Sequence, residues 1–309
     1  MIHSSVPFAT GAPAAQTRPL VAVIVASLGR PTALAELLDA LAEQTLGPDR
    51  IILSLTVAED GPANAADHAN TETILAPKGS CAQRNAALAH LGDRADIVLF
   101  LDDDFLPSRF AVERAVALLE RHPDIAGATG HLVADGIHGP GLSLAETKAL
   151  LAEYDDGAPP PLDPWRDLGG LYGCNMAFRA RAIAGLRFDE RLPLYGWQED
   201  IDFAARARAR GRIVKTFAFA GVHRGLKSGR SPGVRVGYSQ VVNPVYLARK
   251  GTMDARYARK IILRNVAANH WHAFRPEPWV DRLGRVRGNW LGMVDLLRGR
   301  VRPERILEL

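Results

Sequence analysis

The sequence predicts an α/β protein with a mostly parallel, doubly wound sheet, helices on both faces and a helical C-terminal region. Three observations predict it. Short apolar runs rich in Val and Ile alternate with helix-patterned segments through the first half of the chain. Acidic residues gather where those runs end. From about Tyr238 onward the pattern becomes helical and amphipathic, with Arg on one side and Leu, Ile, Val and Trp on the other.

The elements follow in order. Val21 to Ser27 is a short β-branched run, as expected of a strand buried on both faces. Pro31 suits the first turn of a helix whose apolar face is Leu34, Leu37, Leu38 and Leu41, and Gly47-Pro48 ends it. A second strand, Ile51 to Val57, runs into the turn Glu59-Asp60-Gly61-Pro62. Ser80 to Gln83 reads as a capping box opening a helix through Leu91. Asp96 to Leu101 is a third buried strand and leads straight into Asp102, Asp103 and Asp104. Ser108 is expected to cap a helix to about His122. Residues 136–170, rich in Gly, Pro and Asp, read as an excursion over the mouth of a site, with one helix from about Leu142 to Tyr154. Leu171 to Arg179 restores regular pattern. A helix then opens near Glu199 and is closed by Gly211, and Ile213 to Phe219 is a further strand.

In doubly wound sheets, ligands bind outside the carboxyl ends of the strands. Ser27, Asp60 and Asp102 to Asp104 all fall at such ends, so one crevice is expected to collect them. The expected organisation is a flexible tail over 1–18, a catalytic domain over 19–235 with halves 19–135 and 136–235, and a basic amphipathic helical region over 236–309.

Bulk properties narrow the function classes. The chain has 309 residues, 47% of them hydrophobic and 23% charged, which excludes a disordered or fibrous protein. Cys81 and Cys174 are too few for a disulfide framework and read as reduced thiols. The apolar run at Val21 to Leu28 is far shorter than a spanning helix needs, and residues 1–18 lack the pattern of a signal peptide. A cytoplasmic protein is expected. The net charge of +4 conceals an asymmetry: residues 203–309 carry 23 Lys+Arg against 6 Asp+Glu, whereas residues 1–202 carry 15 against 28. A basic C-terminal third suits a diphosphate, an anionic membrane surface or nucleic acid.

Three adjacent carboxylates at the end of an apolar strand repel one another and are costly to desolvate unpaired. Mg²⁺ or Mn²⁺ removes that cost, because hard divalent cations take carboxylate and phosphate oxygens. In Tyr195-Gly-Trp-Gln-Glu-Asp-Ile-Asp202, Glu199 and Asp200 sit where a helix begins, so one is expected to face the crevice as a base while the other supports it. Trp197 offers a flat face for a sugar ring. His223 follows a strand and precedes Arg224, Lys227 and Arg230 in a Gly- and Ser-rich stretch. That position suits one more metal ligand and cations for a diphosphate.

These residues resemble a known family. Val21 to Arg30, Asp60, Ser80 to Leu88, Phe100-Leu-Asp-Asp-Asp104, Gly173 to Arg179 and Gly196-Trp-Gln-Glu-Asp200 look like the ordered landmarks of glycosyltransferase family 2, which has the GT-A fold. The resemblance covers roughly residues 20–250. It implies that Ser27, Arg30 and Asp60 line a nucleotide pocket, with Arg84 and Asn85 close by. Asp102 to Asp104 match the motif for metal and nucleotide sugar, with Asp104 and His223 the preferred protein ligands. Gly173 and Asn175 would border donor sugar and acceptor, and Asp200 matches the catalytic base. The segment Val-Ala-Glu-Asp-Gly-Pro departs from the commoner turn, so either Glu59 or Asp60 meets the nucleobase.

The resemblance implies direct displacement with inversion from a nucleoside diphosphate sugar. UDP is the default donor base, with dTDP and GDP open, and a glycan or lipid-linked acceptor is expected. Cell-surface polysaccharide or glycolipid synthesis at the inner membrane face follows by analogy alone. Three other readings compete. Phosphate chemistry of the haloacid dehalogenase type needs Thr or Val after the second Asp, where Leu106 stands. A nucleotidyltransferase needs a Gly-rich loop, which Ser27-Leu-Gly-Arg-Pro31 is not. The third is a polyanion-binding protein acting through the basic C-terminal third, for which a membrane surface suits the Arg/Leu/Trp pattern at least as well as nucleic acid.

Overall fold

The most apolar runs form the centre of the sheet. In the computed structural model, which describes residues 18–163, 165–228 and 231–309, β1 (Val21–Ala26) lies between β2 (Arg50–Leu55) and β4 (Ile97–Asp102), parallel to both. Strand β3 (Thr71–Leu75) extends this parallel set beyond β2. Past β4 the directions are mixed. Strand β8 (Asn175–Arg179) is antiparallel to β4, and β6 (Ile125–Asp135) is antiparallel to β8. Strand β9 (Arg212–His223) is parallel to β6, while β5 (Phe105–Pro107) and β7 (Trp165–Asp167) pair antiparallel with β9. The order is β3-β2-β1-β4-β8-β6-β9-β5. The parallel expectation therefore holds for the first half of the sheet, and the second half is mixed.

The sequence reading passed over β3, β5, β6 and β7. Strand β6 reads Ile-Ala-Gly-Ala-Thr-Gly-His, and glycine weakens a strand signal. Its glycines serve packing. A Cβ on Gly127 would lie 2.5 Å from the Phe178 ring, and one on Gly130 would lie 2.5 Å from the Phe219 ring.

Alternate residues of β1 feed two cores. Val21, Val23 and Val25 meet α1 (Pro31–Ala42) and α3 (Ala111–Arg121) on one face. Ala22 and Ile24 join the core on the other face, with α2 (Ser80–Leu91), α5 (Ala180–Ile183) and α6 (Glu199–Ala207). Pro31 opens α1 as expected, and Leu34, Leu37, Leu38 and Leu41 are buried. Each such side chain contributes about 1.5–3 kcal/mol.

Two expected caps are not formed. Gly79, at φ +135°, is the N-cap of α2; Ser80 Oγ instead donates to the Tyr195 carbonyl at 3.2 Å. Gln83 Nε2 donates to the carbonyls of Ser27 and Ser54, both at 2.7 Å, and so ties together the ends of β1 and β2. Phe110 is the N-cap of α3, because Ser108 Oγ is bonded to Asp155 at 2.5 Å. A capping box does form at Ser143 and Glu146, opening α4 (Leu144–Asp156). Only the first part of the 136–170 excursion borders the site, where Gly136 and Ile137 meet Lys227. Helix α4 packs its Leu151 with Leu106 and Val222, and the Pro160 carbonyl accepts from Arg114 of α3.

Three helices complete the chain: α7 (Gly233–Lys250), α8 (Ala255–His272) and α9 (Arg282–Leu297). Leu247, Met253, Ala258 and Ile261 join the core shared with α2 and α6, so this region packs on the sheet domain. Helices α7 and α9 touch backbone to backbone. A Cβ on Gly288 would lie 2.1 Å from the Val234 carbonyl oxygen, and one on Gly237 would lie 2.1 Å from that of Arg285. Gly288→Ala is therefore expected to push the helices apart and lower stability by about 1–3 kcal/mol, read as a lower thermal midpoint. An unchanged midpoint would show that the contact is looser than described.

Candidate active site

Ser27, Asp60 and Asp102 to Asp104 do converge, because β1, β2 and β4 end along one edge. Ser27 Oγ donates to Asp103 Oδ2 at 2.6 Å, and Arg30 Nη1 donates to Asp103 Oδ1 at 2.7 Å and lies 3.4 Å from Asp104. The Gly29 amide donates to Asp60 Oδ1 at 2.9 Å. Asp60 is buried, and among the described residues its Oδ2 has no hydrogen-bond partner; Glu59 is exposed. Asp60 is thus the member of that pair turned into the crevice, with one oxygen left to accept from a ligand N–H.

The three aspartates have separate fates. Asp103 is buried and bonded to Ser27 and Arg30, so it ties β1 to β4. Arg30 is likewise engaged: besides the acidic cluster it donates to the carbonyls of Leu226 and Ser228, holding the 226–228 segment against the site. Asp102 keeps 35% of its side chain exposed. Asp104 is buried, and its Oδ2 accepts from the Leu226 amide at 2.8 Å.

Pairing of β5 with β9 sets Phe105 opposite His223 and so brings His223 to Asp104. His223 Nε2 lies 3.4 Å from Asp104 Oδ1, and Nδ1 lies 2.8 Å from Asp135 Oδ1. One ligand atom each from Asp102, Asp104 and His223 fall within 4.8 Å of one another. Two carboxylate oxygens and an imidazole nitrogen form a donor set that fits Mn²⁺ or Mg²⁺. Asp135 at the outer nitrogen of His223 fixes the orientation of the imidazole, the arrangement a metal-ligating histidine would need. Burial opposes charge on His223, but hydrogen bonds to Asp104 and Asp135 and the charges of Asp104 and Asp102 outweigh it, pushing its pKa up to about 10.

Asp135 was missed in the sequence because β6 was missed. Its only local signal is an acidic residue before Gly136 at a strand end. Tyr172, also missed, donates to Asp135 Oδ2 at 3.2 Å.

Glu199 and Asp200 open α6, next to the acidic cluster. Helix α6 is anchored by Phe203, whose ring stacks on Phe188 at 4.0 Å between centroids and meets Phe100 and Phe178 edge-on. Gln198 precedes the pair at φ +77°, a left-handed conformation that costs a non-glycine residue about 1–2 kcal/mol. Such strain is found where a site fixes its geometry. Glu199 Oε1 accepts from buried Arg84 at 2.5 Å, and Arg84 also donates to Asp102 at 2.9 Å and to the Gly173 carbonyl at 3.3 Å. Arg84 therefore joins the two acidic groups. Asp200, half-buried, accepts from the Gly173 amide and from the Ile201 amide, both at 2.8 Å. A Cβ on Gly173 would lie 3.3 Å from Asp200 Oδ2, so a glycine suits that close approach. Burial raises the pKa of both carboxyls, and the charge of Asp200 adds to the rise at Glu199.

Other expected site residues are placed differently. Asn85 is buried and both of its amide ends are spent on the 188–190 loop: Nδ2 donates to Phe188 O at 3.0 Å and Glu190 at 2.8 Å, and Oδ1 accepts from the Phe188 amide. Asn175 is 1% exposed and accepts from Thr129 Oγ1 at 2.6 Å, because β8 is an interior strand; it does not border an open acceptor site. Trp197 is half-buried against the α2–α6 core, its carbonyl held by Asn243. Lys227 Nζ donates to the Gly136 and Ile137 carbonyls beside the site. Arg230 lies outside the described residues.

Known proteins share the family and the fold of this chain. The profile described as glycosyl transferase family 2 matches residues 22–184. Among solved structures, S. aureus TarS 1–349 is similar at TM-score 0.54 and 14% identity, over 93% of this chain and 82% of that one. The mannosyltransferase PcManGT from Pyrobaculum calidifontis, solved with GDP-Man and Mn²⁺, is similar at TM-score 0.52 and 17% identity, over 95% of this chain and 86% of that one. GalNAc-T7, solved with UDP, GalNAc and Mn²⁺, is similar at TM-score 0.52 and 12% identity, over 94% of this chain and 57% of that one. At these identities the likeness is one of fold, the GT-A arrangement. No curated protein matches the chain in sequence.

Proposed function

The chain belongs to glycosyl transferase family 2 and is a glycosyltransferase, and from that premise we propose that it is metal-dependent and transfers a sugar, with inversion, from a nucleoside diphosphate donor to an acceptor hydroxyl. The observation that carries the reading is the convergence of one ligand atom each from Asp102, Asp104 and His223 within 4.8 Å, joined through Arg84 to Glu199 at the opening of α6. The solved complexes of the fold relatives with GDP-Man or UDP and Mn²⁺ support the donor class and the metal.

Asp102, Asp104 and His223 would hold the ion, which when bound neutralises charge on a diphosphate leaving group. Asp60 presents a free oxygen at the far side of the crevice and suits an N–H of the nucleobase. Asp200 is the base. The amides of Gly173 and Ile201 fix its two oxygens, and each oxygen keeps a lone pair for the acceptor hydroxyl. As Asp200 takes the proton, the acceptor oxygen forms its bond to the anomeric carbon. The bond from that carbon to the diphosphate oxygen breaks, and the electron pair leaves with the nucleoside diphosphate. Glu199 stays paired with Arg84, so its charge is balanced while Asp200 works. Lys227 suits the diphosphate from the 226–228 segment that Arg30 holds, and Trp197 suits the sugar or acceptor. UDP is the default base, and a cell-surface glycan or lipid-linked acceptor in the cytoplasm is the expected setting.

Calorimetric titration of UDP, dTDP and GDP, each with Mn²⁺ and then with EDTA, tests the reading. One nucleotide is expected to bind only with metal, and Asp104→Ala is expected to abolish that binding. Mn²⁺ affinity should also strengthen as pH rises from about 6 to 8, because the ion must displace the proton from His223. Nucleotide binding that ignores EDTA would remove the metal, and no binding of any of the three would remove the donor class.

A further inference from the structure

Helix α9 has two opposed faces. Gly288, Gly292 and Asp295 turn inward, toward α7 and the buried Tyr238. The other face, Leu283, Arg287, Trp290, Val294 and Leu297, recurs every three or four residues and stays open to solvent. Leu283 is 69% exposed, Trp290 57% and Leu297 88%. The Trp290 ring meets His270 edge-on at 6.0 Å, which sets this stripe beside the end of α8. There Trp271 is 78% exposed and Phe274 87%. Toward the start of α8 the exposed residues include Arg256, Tyr257, Arg259, Lys260, Leu263 and Arg264, after the exposed N-cap Asp254.

The charge is one-sided. Residues 255–300 carry ten Lys+Arg against three Asp+Glu. All three acids are engaged: Asp295 with Tyr238 and Arg305, Glu277 with Arg282, and Asp281 with the Gly284 amide at the α9 N-cap. The surface is thus apolar and cationic at once. Single exposed Leu or Trp residues are ordinary, but an aligned stripe next to two further aromatic rings marks an interaction face.

We propose that the α8–α9 face docks the protein onto a bilayer surface rich in anionic lipid. Trp271, Phe274, Leu283, Trp290 and Leu297 enter the boundary between headgroups and acyl chains, and the α8 arginines and Lys260 meet lipid phosphates. Charge decides the occupant. A second copy of this chain would set arginine against arginine, whereas anionic headgroups neutralise them. A nucleic-acid surface would leave the Leu, Val and Phe side chains without apolar cover. Among the described residues no helix is long and apolar enough to cross a membrane, so the contact is peripheral. The docking goes beyond the glycosyl-transfer reading and is tested without donor or acceptor.

Flotation of the full chain with phosphatidylcholine vesicles, alone and with phosphatidylglycerol, provides the test. Binding to the anionic vesicles only is expected, weakening several-fold as salt is raised. Trp271→Ala/Phe274→Ala/Trp290→Ala should lower it at least tenfold, as should Arg259→Glu/Lys260→Glu/Arg264→Glu, with far-ultraviolet circular dichroism unchanged in both. Brominated lipid should quench tryptophan fluorescence in the wild type and lose most of that effect in the aromatic variant. No binding to either vesicle, or wild-type binding by the aromatic variant, overturns the proposal. A stable dimer in light scattering that the aromatic variant dissociates would assign the face to a second copy. Binding of a DNA oligonucleotide without vesicle binding would assign it to nucleic acid.

Discussion

Asp200→Asn is expected to lower kcat by about 10² to 10⁴-fold, the range a positioned general base supplies, while nucleotide affinity stays within about threefold. The substitution keeps the shape of the side chain, but the amide cannot accept a proton, and only its oxygen can still accept from one of the two backbone amides. Donor affinity is spared because Asp200 meets the Gly173 and Ile201 amides and touches none of Asp60, Asp102 or His223. The pH profile gives a second check. The base works only when ionised, so kcat falls as pH drops through the Asp200 pKa. Burial raises that pKa, and the fall is therefore expected to begin above the ordinary carboxylate value of about 4. Near-normal turnover by the variant would remove Asp200 as the base and turn attention to Glu199.

Arg84→Met is expected to cost about 3–5 kcal/mol of stability near neutral pH, the usual effect of leaving one partner of a buried ion pair uncompensated. The Arg84 side chain is 4% exposed and that of Glu199 10%, so water cannot take over the lost contact. Burial already pushes the Glu199 pKa up, and loss of the guanidinium pushes it further. The folded variant then binds a proton that the unfolded chain has released. Its stability is therefore retained at acidic pH and declines as pH rises through the Glu199 pKa. Adding Glu199→Gln should recover much of the loss and flatten the dependence. Denaturant titrations of the two variants between about pH 5 and 8 provide the measurement. Equal stability of wild type and Arg84→Met throughout would show that the pair contributes nothing.

Local chemistry in the chain determined much of this protein. The Val- and Ile-rich runs are strands because they alternate with helix-patterned segments, and the carboxyl ends of parallel neighbours must share an edge. That alone places Ser27, Asp60 and the aspartates together. The acidic opening of α6 was equally legible, since an acidic pair followed by apolar spacing is a local pattern. Tertiary structure alone decided which atoms within these motifs are available. Asp102 and Asp104 lie with His223 in a group that could hold a metal ion, while Asp103 is bonded to Ser27 and Arg30. Three adjacent carboxylates look alike in a sequence and differ only in what the neighbouring strands present to them.

The same reason accounts for the partners that the sequence does not show. Asn85 and Asn175 lie within motif segments, but their partners, the Phe188 loop and Thr129, are 103 and 46 residues away. Asp135 became visible as the partner of His223 only through the pairing of β6 with β9, since β6 hides its strand character behind glycines that make room for phenylalanine rings. Ser80 and Ser143 offer the same capping pattern. Only Ser143 forms the box, because the tertiary fold bonds Ser80 to Tyr195 and Gln83 to the ends of β1 and β2. Short-range pattern set the elements and the edge on which the site is built; long-range pairing chose which side chains face it.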